Sequence, residues 1–229
     1  MQVECNASEM SRHVQPVIYL ITSGATNDQT TPSSKEFVEV LEVVTAAVAA
    51  QVSLIQLREK RLSARVLFEL TVQAAQITRK SETRLLVNDR ADIARAAGAA
   101  GVHLSTRSLG ADVIRSTFGP DFLIGVSTHT IAEARAARDQ GDFAVFGPIF
   151  KTESKKNYGV PQGVAKLAEV AREVAPFPIL ALGGIGLDQV SECSEAGASG
   201  IAGISIYQPR ETLPHIVDTI RDVFKRNAK

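Results

Sequence analysis

Eight short runs of β-branched and Leu-rich residues recur along this chain, each followed by a longer stretch with helical spacing of apolar positions. The runs are Val17 to Thr22, Ser53 to Leu57, Arg84 to Val87, Gly101 to Leu104, Leu123 to Val126, Phe143 to Phe146, Pro178 to Leu182 and Gly200 to Ile204. Helices are expected near 35–50, 63–80, 91–98, 109–117, 131–139, 162–175, 187–196 and 211–226. The runs are almost continuously apolar rather than alternating, as in parallel strands whose outer faces are covered by helices. Strict alternation of eight strands with eight helices predicts an α/β fold, a (β/α)8 TIM barrel in one domain. It would span 17–229, with residues 1–16 as an N-terminal extension. At 229 residues the chain is long enough for one such barrel without splitting.

An open doubly wound sheet shares the alternation, but it usually carries a Gly-rich phosphate loop after its first strand. Here the first run leads into Ser23-Gly24-Ala25-Thr26-Asn27-Asp28, and the glycines cluster after the seventh run instead. The barrel is therefore favoured. Gly98, Gly141 and Gly197 stand where helices should end and are expected to supply left-handed backbone there. Ser63 and Asp188 are expected as N-caps.

The runs end in small or chemically capable residues: Gln56 to Lys60, Asn88-Asp89, Ser105, Ser127-Thr128-His129, Thr152 to Lys156, Gly183-Gly184 and Ser205. A parallel barrel gathers all these ends on one rim, where such barrels build active sites. Two polar segments, 24–34 and 151–161, would stand over that rim, and loops of this length are uncommon without a role.

Charge narrows the class of partner. Lys+Arg and Asp+Glu balance at 25 each, which argues against nucleic acid or an anionic membrane surface. Cys5 and Cys193 are too few and too far apart for a disulfide framework or a zinc site. Residues 1–17 lack the apolar core of a signal peptide, and no run has the length of a membrane span. A cytoplasmic protein acting on small molecules is expected, and a homo-oligomer is compatible with that.

Glycines after strands 7 and 8 of a barrel let backbone N–H groups approach a phosphate. Gly183-Gly184-Ile185-Gly186 and Gly203-Ile204-Ser205 occupy those two places. Arg58, Lys60, Lys151, Lys155 and Lys156, with the hydroxyls of Thr152 and Ser154, form a separate cationic group. Arginine grips an anion bidentately and lysine adds point charge, so a second anionic group, such as a pyrophosphate, is expected. Asp89 reads either as a Mg2+ ligand or as the cap of the helix starting near Ala91. His103 and His129 fall near the rim, as candidates for chemistry or as hydrogen-bonded structural residues.

The strings QLREK (56–60), LLVNDRADIA (85–94), GVHLS (101–105), IGVSTHT (124–130), FGPIFKTESKK (146–156), LGGI (182–185) and GIAGIS (200–205) resemble the thiamine phosphate synthase family. The resemblance runs from about Val17 to Ser205 with the motifs in order. It implies a barrel that joins 4-amino-2-methyl-5-hydroxymethylpyrimidine pyrophosphate to hydroxyethylthiazole phosphate. On it, Gln56, Arg58 and Lys60 would contact the pyrimidine pyrophosphate with Asn88 beside the ring, Ser127 would be a further substrate-binding residue, and Asp89 would hold Mg2+. Thr152, Ser154 and Lys155 would hold the pyrophosphate and the thiazole phosphate side, with Gly184, Ile204 and Ser205 on the thiazole phosphate. Arg58, Lys60 and Lys155 would carry the catalytic charge, with His129 as a further candidate.

The family typically has Gly-Gln-x-Asp after the fourth strand, the Asp being a second magnesium ligand. This chain has Ser105-Thr106-Arg107-Ser108 there, so Ser108 stands in the carboxylate's place. The related TenI-like thiazole tautomerases lack that Asp, need no metal and use a His at the place of His129. That activity, or a non-catalytic sensor of thiamine precursors, is the alternative. Retention of Arg58, Lys60, Asn88, Asp89, Thr152, Ser154 and Lys155 favours the synthase, because a tautomerase has no pyrophosphate to hold.

Overall fold

The structure is a computed structural model that describes residues 15–151 and 160–228. Eight strands alternate with eight α-helices among the described residues: β1 Val17–Ile21, α1 Lys35–Ala49, β2 Leu54–Leu57, α2 Ala64–Thr78, β3 Arg84–Asn88, α3 Ala91–Ala96, β4 Gly101–Leu104 and α4 Ala111–Phe118. They continue as β5 Leu123–Thr128, α5 Ile131–Gln140, β6 Phe143–Phe146, α6 Gly163–Val174, β7 Ile179–Leu182, α7 Val190–Glu195, β8 Gly200–Gly203 and α8 Leu213–Asn227. All strand pairs are parallel and the sheet closes, with β1 bonded to β2 on one side and β8 on the other. Closure excludes the open sheet, in which β1 and β8 would not meet.

Period 2 along each strand sorts side chains into two cores. Ile18, Leu20, Ile55, Leu57, Ala144, Phe146, Ile179, Ala181 and Ile201 face outward and pack with the helices. Val17, Tyr19, Leu54, Leu86, Phe143, Val145, Leu180 and Ala202 come from strands alone and fill the interior. The helices answer with apolar stripes at helical spacing. Leu213, Ile216, Val217, Ile220 and Val223 are the buried face of α8, each worth about 1.5–3 kcal/mol if fully withdrawn from water.

The ends of the elements show which local signals were decisive. Ser63 caps α2, accepting from the Val66 N–H at 3.3 Å. Thr130 and Glu133 form a reciprocal capping box on α5. Gly98 and Gly197 are left-handed as expected, with φ of 78° and 84°. Gly141 is not: its φ is −88°, because the chain turns straight from α5 into β6 in extended backbone. Asp188 is not an N-cap either. It lies inside a short 3-10 turn, Leu187–Gln189, preceding α7, and the Gly186 N–H is taken instead by Gln189 Oε1 at 2.7 Å. No helix among the described residues is long and apolar enough to cross a membrane.

Candidate active site

At the C-terminal rim, β2 delivers three consecutive charged residues with different fates. Glu59 is buried, whereas Arg58 is half-buried and Lys60 exposed. The Glu59 carboxylate accepts from the hydroxyls of Thr22 and Thr26, each at 2.6 Å, and from the Gly24 and Thr26 N–H groups, each at 3.3 Å. Thr22 in turn accepts from the Arg58 N–H at 2.8 Å. The segment after β1 is therefore strapped to the end of β2, and its Gly24 packs beside the Arg58 guanidinium: a Cβ on Gly24 would stand 3.7 Å from Nη1. Sequence reading passed over Glu59 as one charge in a charged string. Its signal was the pattern of hydroxyls, Thr22 and Thr26, that only closure of β1 onto β2 brings within reach.

Inside the mouth, polar side chains replace the apolar layer. Tyr19 donates to Gln56 Oε1 at 3.2 Å, Gln56 Nε2 donates to Asn88 Oδ1 at 2.9 Å, and Asn88 Nδ2 donates to Asp89 Oδ2 at 2.7 Å. The buried phenol thus begins a relay of amides that ends on an exposed carboxylate. Desolvation holds the Tyr19 phenol well above its ordinary range, so it stays a donor.

Asp89 adopts left-handed backbone, φ 60°, a conformation that Asp tolerates better than most residues. It does not cap α3, whose N-cap position is Arg90 and carries no side-chain cap bond. The turn instead sends the carboxylate toward the end of β4. Oδ1 accepts from the Ser105 N–H at 3.0 Å and from the Ser108 hydroxyl. Partial burial pushes the Asp89 carboxyl up, but donation from Ser108 and Ser105, together with the Lys60 charge, outweighs it and holds the group below the usual carboxylate range. Ser108 therefore occupies a lone pair of Asp89. Among the described residues no three His, Cys, Asp or Glu side chains cluster as a ready metal cage. The donor set still suits Mg2+, which keeps several waters and is commonly held by one carboxylate plus substrate phosphates: Asp89 is ionised, exposed, and has capacity left on Oδ2.

The two histidines separate. His103, on β4, is buried inside the barrel at 3% exposure, with Nε2 2.9 Å from Ser127 Oγ. Burial chiefly pulls it from its ordinary 6.5 to about 4, the Asp89 charge opposing and the Lys60 charge assisting, so the ring is neutral near pH 7. Its Nδ1 has no partner among the described residues, so Ser127 and His103 are not part of a carboxylate triad. His129 is exposed, just beyond β5, with Nδ1 2.6 Å from the Gly147 carbonyl oxygen.

Opposite these groups, β7 ends in Gly183 and Gly184, with φ of 101° and 66°. Glycine is required at 184 twice over, since a Cβ there would also stand 2.7 Å from the Phe150 carbonyl oxygen. Beside it, half-buried Ile204 follows β8 and exposed Ser205 opens a 3-10 turn, Ser205–Tyr207, secured by Tyr207 donating to the Ile201 carbonyl at 2.8 Å. The strands bearing these turns are neighbours, Leu182 lying in register with Ala202. Thr152, Ser154, Lys155 and Lys156 lie outside the described residues. The structure places Gln56, Arg58, Lys60, Asn88, Asp89, Ser127, His129, Gly184, Ile204 and Ser205 at the ends of barrel strands, with direct contacts joining Gln56, Asn88 and Asp89.

A mouth with cations and amides on one arc and paired glycine turns on the other is equipped to hold two anionic groups apart. Among known proteins, the family model described as thiamine monophosphate synthase matches residues 18–206. A putative thiamine-phosphate synthase of Geobacter sulfurreducens is 47% identical over 168 residues, covering 73% of this chain and 78% of that protein. The thiamine-phosphate synthase of Clostridium tetani is 33% identical over 215 residues, covering 93% of this chain and 98% of its own. The solved thiamine phosphate pyrophosphorylase of Pyrococcus furiosus superposes with a TM-score of 0.75 at 25% identity, covering 93% of this chain and 96% of that one. In sequence, in closure of the barrel and in the order of its rim motifs, this chain belongs to the thiamine monophosphate synthase family.

Proposed function

We propose that this barrel is a thiamine-phosphate synthase, coupling 4-amino-2-methyl-5-hydroxymethylpyrimidine pyrophosphate to hydroxyethylthiazole phosphate with release of pyrophosphate. The observation that carries the reading is the Gln56–Asn88–Asp89 relay, which starts on the strand that leads into Arg58 and Lys60 and finishes on a carboxylate that feels the Lys60 charge. Two amides suited to a heterocycle's edge share the rim with the charges needed by its leaving group.

In the reaction, the bond from the pyrimidine methylene to the pyrophosphate oxygen breaks, and its electron pair leaves with the pyrophosphate. The methylene cation, stabilised by the aminopyrimidine, is captured by the thiazole nitrogen lone pair, and the positive charge ends on the thiazolium. Such a path asks for charge stabilisation and alignment more than for proton transfer. Arg58, Lys60 and Lys155 would take the developing charge of the leaving group, with Thr152 and Ser154 donating beside them. Gln56, Asn88 and Ser127 would orient the pyrimidine, and Gly184, Ile204 and Ser205 would seat the thiazole phosphate. Asp89 would hold Mg2+, which supplies charge neutralisation to the pyrophosphate. The reading places the protein in the cytoplasm with small phosphorylated substrates.

The direct test supplies both halves with Mg2+ and follows thiamine phosphate. Failure to form it, with both substrates bound, refutes the synthase. A second reading, thiazole tautomerase, would use His129, whose Nδ1 donates to the Gly147 carbonyl and leaves Nε2 for a ligand; a His here suits the synthase as well, so assays must separate the two. The tautomerase requires that His129→Ala stop isomerisation of the thiazole carboxylate phosphate while Lys60→Ala is tolerated. Binding of the precursors without turnover of either kind would mark a sensor.

A further inference from the structure

His103 has a buried nitrogen that no contact explains. Its ring packs against Tyr19, with centroids 5.6 Å apart, and Phe143, at 6.1 Å, two rings that also meet each other edge-on at 5.5 Å. The neighbouring strand makes room for it with a glycine: a Cβ on Gly125 would stand 2.8 Å from His103 Nδ1 and 2.9 Å from Phe143 Cε1. Nδ1 and the edge of Phe143 thus converge on one small space, and Nδ1 finds no polar partner there among the described residues. On the other side of the ring, Nε2 meets Ser127 Oγ at 2.9 Å.

A neutral imidazole has one donor and one acceptor nitrogen, so two arrangements exist. If Nδ1 carried the proton, an N–H would be buried without an acceptor, against the positive edge of an aromatic ring. Ser127 would then spend its proton on Nε2 and offer the mouth only lone pairs. If Nε2 carries the proton, a lone pair faces the ring edge instead, which is the less costly orphan, and Nε2–H donates to Ser127 Oγ. The Ser127 proton is then free.

We propose that His103 is a positioning residue that holds Ser127 as a hydrogen-bond donor to a lone-pair acceptor on the bound pyrimidine pyrophosphate. This rests on the synthase reading for its ligand, and on the geometry of the ring alone for its direction. The acceptor is a pyrimidine ring nitrogen or a phosphate oxygen, and inorganic pyrophosphate used as a second probe separates them.

The test begins with the unaltered full-length chain, 15N-labelled at its four histidines, at pH 7. Long-range 1H–15N correlation reads the tautomer, and the resonance lost in His103→Gln identifies the residue. The Nε2–H form is expected; the Nδ1–H form overturns the proposal whatever the variants do. Calorimetry with the pyrimidine pyrophosphate then reads the consequence. His103→Leu and Ser127→Ala are each expected to weaken binding about tenfold, roughly 1.4 kcal/mol, and the double variant no further. His103→Gln, whose amide can donate toward Ser127, should recover much of the loss. Equal weakening toward inorganic pyrophosphate places the acceptor on phosphate, and unchanged pyrophosphate binding places it on the ring. Additive losses in the double variant refute the coupling. No binding by the unaltered protein would overturn the functional reading and the ligand assigned here, while leaving the tautomer measured.

Discussion

Replacing Glu59 by Ala should destabilise the barrel far more than removal of a charge from a charged loop would. The side chain is 2% exposed and accepts four hydrogen bonds, all from the segment that follows β1. Two of them, from Thr22 and Thr26, are short at 2.6 Å, and both donors are themselves buried. A hydrogen bond to a charged group contributes about 1.5–3 kcal/mol, so the two short bonds set a gross loss of about 3–6 kcal/mol. Release of the desolvation cost of Glu59 itself and entry of water reduce this, leaving about 3 kcal/mol. For a domain of this size that lowers Tm by roughly 6–12 °C. Glu59→Gln should lie between, because one amide oxygen can still accept while the NH2 faces the Thr26 or Gly24 N–H. Urea and thermal unfolding followed by circular dichroism read the effect directly. If Glu59→Ala unfolds within about 1 kcal/mol of the parent, the strap contributes little and its hydrogen bonds are exchanged readily for water. Pyrimidine pyrophosphate affinity, measured below the lowered Tm, should fall as well, since Thr22 also holds the Arg58 backbone.

The remaining expectations concern the interior and the charge of the mouth. His103 is neutral in the fold and drops from its ordinary 6.5 to about 4, so the unfolded chain binds more protons between those values. Stability is fully present above 6.5 and falls as pH descends toward 4, by roughly 3 kcal/mol at 1.36 kcal/mol per unit, and His103→Gln should remove that component from the pH dependence of unfolding. Gly184→Ala meets both a left-handed φ of 66° and the Phe150 carbonyl, so it should lower thiazole phosphate affinity, measured by calorimetry, with an unfolding cost of about 1–3 kcal/mol. Arg58→Ala and Lys155→Ala should each lower the rate of thiamine phosphate formation by about two to three orders of magnitude, the scale for losing one group that stabilises developing charge. Near-parent rates in either variant would remove that residue from the mechanism. Asp89→Asn should weaken magnesium dependence of coupling, and Mn2+ binding in the presence of pyrophosphate, followed by paramagnetic resonance, checks this without turnover.

The fold was legible because its signals are local and repeated. Since burial on both faces of a parallel strand forces a continuous apolar string, eight apolar runs and their helical partners could be placed within two residues, except that the helix expected from 187 begins at Val190 after a 3-10 turn. Ser63 was legible as a cap for the same reason: its partner is three residues away. Asp188 and Gly141 failed where the chain had another local solution, Gln189 on the Gly186 N–H in one case and extended backbone in the other. The rim was legible as a list of strand ends, and the family motifs supplied roles for it.

What sequence alone determined is therefore the order of elements, the parallel barrel and which residues stand at its mouth, because each depends on the chain's own periodicity. What only the tertiary structure decided is how those residues pair. Glu59 finding Thr22 and Thr26, Tyr19 orienting Gln56, Ser108 taking a lone pair of Asp89, and His103 meeting Ser127 all cross between strands. A hydrogen bond between neighbouring strands depends on register and on the direction of each side chain, and closure of the sheet fixes both at once.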